Sequence, residues 1–124
     1  MKKSIVFILV AVIVTGIFAC SKKSSDNGTP TTSSLVGTWT KNYQGQAMTI
    51  IINANGTYSA TWGSQSLPTG TYSLSGNNFT VQDVFCNFPG HYTYTLATNI
   101  ATMTLVSDTC DGRYQMMPGT YNRK

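Results

Sequence analysis

The sequence predicts an all-β domain, a small up-and-down antiparallel barrel of eight strands with no C-terminal helix. Three observations predict it. From Leu35 onward, apolar and polar residues alternate in short segments, the connections between those segments alternate in length, and Thr, Tyr, Gly, Asn and Ser dominate while Glu is absent. Alternation with a period of two marks half-buried antiparallel strands.

Leu35 to Thr40 opens the series, with Leu35 and Trp39 on one face. Ala47 to Asn53 adds Met48, Ile50 and Ile52, and Thr57 to Trp62 adds Tyr58, Ala60 and Trp62. Gly70 to Ser75 contributes Tyr72 and Leu74, and Asn78 to Gln82 contributes Phe79 and Val81. His91 to Ala97 follows with Tyr92, Tyr94 and Leu96, then Ile100 to Val106 with Ala101, Met103 and Leu105, and Arg113 to Asn122 with Tyr114 and Met116. Thr and Ser fill most alternate positions, and no stretch has helical periodicity. In a barrel of eight short strands the interior is just wide enough for side chains to fill, so these residues are expected to form a core rather than line a large cavity.

The connections orient the barrel. Asn55-Gly56, Gly76-Asn77 and Thr98-Asn99 are tight, Asn-Gly being a strong hairpin signal. Lys41 to Gln46, Gly63 to Thr69, Asp83 to Gly90 and Ser107 to Gly112 are longer. In an up-and-down order, successive connections fall at opposite ends, so the tight turns are expected at one pole and the long loops at the other. Cys86 and Cys110 lie in two of the long loops, at the same expected pole, which makes a disulfide the natural reading in an oxidising compartment.

The leader ahead of this domain has a different character. Lys2 and Lys3 precede an apolar run from Ile5 to Val14, the layout of an export signal at residues 1–19. Ile5 to Ala19 is 15 residues, fewer than the about 20 a membrane-spanning helix needs. The ending Ile17-Phe18-Ala19-Cys20 resembles the lipobox of bacterial lipoproteins, in which an aliphatic and a small residue precede the cysteine that receives diacylglycerol and an N-acyl chain. The resemblance implies cleavage before Cys20, lipidation of Cys20, and a bacterial cell envelope location. Ser21 follows the cysteine, and by the same resemblance delivery to the outer membrane is expected. Residues 20–34 then form a tether: Ser21 to Ser34 holds no aliphatic or aromatic residue and is expected to stay disordered.

Charge and composition exclude several functions. Behind the signal the chain carries six cations (Lys22, Lys23, Lys41, Arg113, Arg123, Lys124) against four Asp, a dispersed net of +2 that is no nucleic-acid footprint. The folded part offers one histidine, His91, and three carboxylates, Asp83, Asp108 and Asp111. Asp83 and His91 flank one loop and could pair, but no Ser stands in a nucleophile turn, so no enzyme is expected. Asp108 and Asp111 are read as turn caps rather than calcium ligands. Zinc spacings and phosphate-binding glycine loops are absent, and neither metal nor cofactor is expected.

The eight-strand count, the opening Leu35-Val36-Gly37-Thr38-Trp39, and the closing Asp108-Thr109-Cys110-Asp111-Gly112-Arg113 with Gly119-Thr120-Tyr121 are similar to the lipocalin-like lipoproteins of Gram-negative bacteria. The resemblance covers residues 35–124. It implies that Trp39 plugs one end of the barrel beneath an arginine from a late strand, for which Arg113 is the candidate. The chain is much shorter than true lipocalins and lacks the helix that follows their barrel.

Recognition is expected on the long loops, where strand packing does not guarantee burial. Tyr43, Gln65, Leu67, Phe85, Phe88 and His91 are the candidate ligand-contacting residues, clustered at one mouth. The expected function is non-catalytic binding of a small apolar or amphipathic ligand at this end of a membrane-anchored barrel. The alternatives are a protein-binding or inhibitory module using the same loops, and an accessory envelope protein with a filled barrel.

Overall fold

The computed structural model describes Ser34 to Lys124; the leader, Cys20 and the tether expected from the sequence lie outside the described residues. Nine strands and one short helix follow in order: β1 (Gly37–Tyr43), β2 (Gln46–Ile52), β3 (Thr57–Trp62), β4 (Gln65–Ser66), β5 (Gly70–Ser75), β6 (Asn78–Asp83), β7 (Gly90–Ala97), β8 (Ile100–Ser107), α1 (Asp111–Met116) and β9 (Gly119–Arg123). All pairings are antiparallel. Eight strands close into a barrel in the order β1-β2-β3-β5-β6-β7-β8-β9 and back to β1, with β4 as an extra hairpin strand on β3. Closure pairs every barrel strand on both sides, although β9 covers only part of β1 and β8, and β3 meets β5 only at Thr57 and Tyr58.

The core repeats the period of two. Met48, Ile50 and Ile52 of β2, Tyr58 and Ala60 of β3, Phe79 and Val81 of β6, and Ala101 and Met103 of β8 are all buried. The buried hydrophobic residues among the described ones, from Leu35 to Tyr121, form one core cluster. Leu74 and Leu105, expected inside, are exposed at 40% and 39%. Met117 and Tyr121, assigned to no face from the sequence, are buried instead.

Two connections differ from expectation. The first is no long loop: β1 runs to Tyr43 and β2 starts at Gln46, leaving a two-residue turn at Gln44-Gly45. Both residues have positive φ, 50° and 79°, as the hairpin turn matching strand twist requires, and the Asn42 side chain accepts a hydrogen bond from the Gly45 amide. The last connection differs more. Arg113 to Met116, expected as strand, belongs to α1, and Pro118 follows where the helix cannot continue. The absence of a helix after the barrel stands, since α1 precedes the final strand.

This substitution shapes the distal half of the barrel. β9 pairs with β8 only from Ile100 to Met103, and with β1 only at Trp39 and Thr40. The remaining lengths of β8 and β1 have no β9 partner, and α1 stands over that gap. Lys41 fastens it there: its ammonium donates to the carbonyls of Met116 and Pro118, each at 2.5 Å, and lies 4.7 Å from the Tyr121 ring centroid. The Tyr121 hydroxyl donates to the Met117 carbonyl at 2.8 Å.

At the opposite pole, beside the chain entry, Trp39 is 2% exposed and its indole donates to the Leu35 carbonyl at 2.7 Å. The arginine over its ring is Arg123 of β9, with the guanidinium carbon 4.4 Å from the centroid; the expected partner, Arg113, is elsewhere. Arg123 also donates to the carbonyls of Val36 and Ser34. Gly37 adopts φ of +140°, a backbone conformation that favours glycine, and a side chain there would also displace the Arg123 guanidinium, which lies 2.6 Å from where its Cβ would stand.

Candidate functional site

The wider connections gather at one pole, as the up-and-down order requires, and they are tied together there. Cys86, in the loop after β6, and Cys110, just before α1, form a disulfide with a Cα separation of 5.8 Å. Closing a loop of about 25 residues this way stabilises the fold by about 3 to 4 kcal/mol in the chain-entropy model.

Beneath the disulfide lies an ionic cluster whose members the sequence analysis did not connect. Arg113 of α1 is 7% exposed. It grips Asp108 with two donors, Nε at 2.6 Å and Nη2 at 2.9 Å, and reaches Asp83 at the end of β6 through Nη1 at 2.9 Å. Nη2 also donates to the Phe88 carbonyl at 2.7 Å. Both carboxylates are fully engaged by other partners. The Tyr58 hydroxyl donates to Asp83 at 3.1 Å, and the Tyr92 hydroxyl donates to Asp108. The amides of Phe85 and Cys86 donate to Asp83, and the Cys110 amide to Asp108. Gly90 sits where any side chain would collide with Asp108.

Electrostatics follow from this packing. Burial alone would raise the Asp108 carboxyl, but hydrogen bonds from Arg113, Tyr92 and the Cys110 amide hold it below its ordinary value. Hydrogen bonding to Asp108, more than offsetting desolvation, pushes Arg113 upward. Burial, then the adjoining carboxylates, push the Tyr58 and Tyr92 phenols up, so both remain protonated donors. Burial pulls the Lys41 ammonium down to about 8. The cluster is a structural clamp between β3, β6, β7, α1 and both disulfide-linked loops.

Above the packed proximal half, the distal interior opens into a cavity of about 420 Å³. The expectation that side chains fill the whole barrel is corrected here: the Trp39 half is packed and the loop half is hollow, where α1 replaces strand. Met48, Ala60, Leu67, Met116 and Met117 supply apolar walls, Phe85 stands at the mouth, and Asp83, Arg113 and Asp111 also line it. Leu67 is placed by the β3–β4 hairpin, which folds back until the Leu67 amide donates to the Ala60 carbonyl at 2.9 Å.

Of the six candidate contact residues, Leu67 and Phe85 line this cavity. Tyr43 packs edge-on against Trp62, centroids 6.1 Å apart, and its carbonyl accepts the Trp62 indole hydrogen, so it does not face the cavity. Gln65 is exposed on β4, and Phe88 is 67% exposed at the loop tip. His91 is on the outer face of β7, beside Thr80, away from both the cavity and Asp83. Met116, Met117 and Asp111 were missed because their loop was read as strand or turn. Comparison with known protein families, curated proteins and solved structures returns no match.

Proposed function

We propose that this chain is a membrane-anchored, non-catalytic lipoprotein of the lipocalin-like kind that binds a small apolar or amphipathic ligand in the distal cavity. The cavity carries the reading. Its volume of about 420 Å³ falls within the range of small-molecule sites, its walls are mainly apolar, and it opens among loops held rigid by a disulfide and an ion cluster. The chain enters the barrel at Leu35, beside the tight turns and at the pole opposite the mouth. Anchoring rests on the Ile17-Phe18-Ala19-Cys20 sequence, and several acyl chains hold a protein to a bilayer without a spanning helix.

Exposed Val84 and Phe88, at 84% and 67%, favour a second reading in which the same loops grip a protein. Titration of the chain from Ser21 onward with the neutral fluorophore N-phenyl-1-naphthylamine separates the two. Saturable binding of one probe per chain, weakened by Leu67→Trp, is expected for a ligand cavity; absence of saturable binding would sink it. Anchoring has its own test. Cys20→Ala is expected to leave an uncut precursor without radiolabelled palmitate, and normal processing and labelling of that variant would refute lipidation.

A further inference from the structure

The charges around the cavity set the class of ligand it accepts, provided that the ligand-binding reading holds. We propose that the distal cavity selects a cationic amphiphile, an apolar chain or ring system bearing an ammonium group, over the corresponding carboxylate. Arg113 is the cation that lines the cavity. Four hydrogen bonds and two carboxylates already occupy its guanidinium, so it has little to offer an incoming anion.

Three carboxylates, Asp83, Asp108 and Asp111, stand against that one guanidinium. Asp83 and Asp108 are consumed within the cluster, leaving it with an excess negative charge under the apolar walls. Asp111 is different: it lines the cavity, is exposed, and makes no ion pair among the described residues. Lys41, held at the Met116 and Pro118 carbonyls outside the lining, offsets one of these charges at a distance, and one negative charge is still left over.

The mouth adds a second feature suited to an ammonium. Phe85 also lines the cavity and is 79% exposed, and the Cys86–Cys110 disulfide joins the chain positions next to Phe85 and Asp111. An aromatic face attracts a cation within about 6 Å and repels a carboxylate. Apolar walls for the chain, an unpaired carboxylate and an aromatic ring for the head describe one ligand chemistry.

Calorimetric titration of the chain from Ser21 onward with octylammonium, 1-octanol and octanoate, at neutral pH and low ionic strength, tests it. Octylammonium is expected to bind about tenfold tighter than octanoate, with octanol between them. Asp111→Asn is expected to shrink that ratio by about two- to fivefold. Octanoate binding as tightly as octylammonium, or an unchanged ratio in Asp111→Asn, would overturn the proposal. In those cases octanol binding shows that the cavity still takes apolar ligands. Failure of all three probes to bind would overturn the ligand reading as well.

Discussion

Arg113→Ala is expected to destabilise the domain by about 3 to 5 kcal/mol, because it strands two buried carboxylates. In the native fold the Asp108 side chain is fully buried and that of Asp83 is 5% exposed. Without Arg113, neither has a cation within reach among the described residues. A domain of this size loses about 4 to 8 °C of thermal midpoint per kcal/mol, so the midpoint is expected to fall by roughly 12 °C or more. A midpoint within about 2 °C of the native protein would contradict the clamp. The same cluster gives a pH dependence. Asp108 titrates below its ordinary value of 3.8 in the fold, so its stabilisation is complete above that value and disappears as pH falls through the lower folded one. Asp108→Asn is expected to flatten the acid limb of a denaturation profile.

Trp39→Ala is expected to cost a similar 3 to 5 kcal/mol, about the usual penalty for removing a buried aromatic, and it acts at the other pole. Trp39 holds Leu35 through its indole hydrogen and carries Arg123 on its ring, so its loss loosens both the entry and the closing strand pair. Arg123→Ala removes a stacked cation and two carbonyl contacts, and about 0.5 to 2 kcal/mol is expected. Urea denaturation ranks the two variants, and a larger loss in Arg123→Ala than in Trp39→Ala would contradict the packing described.

The strands were legible because burial on one face of a closed sheet forces the period of two. Ile50, Ile52, Tyr58, Phe79 and Val81 announce themselves that way. Helix α1 was not legible, since its six residues are too few for a 3.6-residue repeat to emerge. Asp111 in the first turn and Pro118 just past the end were the available signals. Reading that segment as strand put Arg113 over Trp39 and left the gap between β1 and β8 unseen. Arg123 was equally late in the chain, and only the register Trp39↔Arg123 distinguishes the two.

The Gln44-Gly45 turn was obscured because glutamine rarely takes positive φ, whereas Asn55-Gly56 was plain. The ion cluster was less legible: Asp83 and Arg113 are 30 residues apart, and the one signal that could have joined them was the Cys86–Cys110 disulfide, three residues from each. Leu67 and Phe85 were found as apolar residues on loops. His91 was not at the mouth because it occupies an outward position on β7, adjacent to inward Tyr92.

Native mass spectrometry of the chain from Ser21 onward, exported without its anchor in the cells that make it and purified without detergent, tests the ligand cavity most directly. The expected spectrum contains a population carrying one apolar adduct of discrete mass, reduced or absent when Leu67→Trp fills the cavity. A bare chain in both proteins, together with no saturable uptake of the neutral probe, would contradict the account.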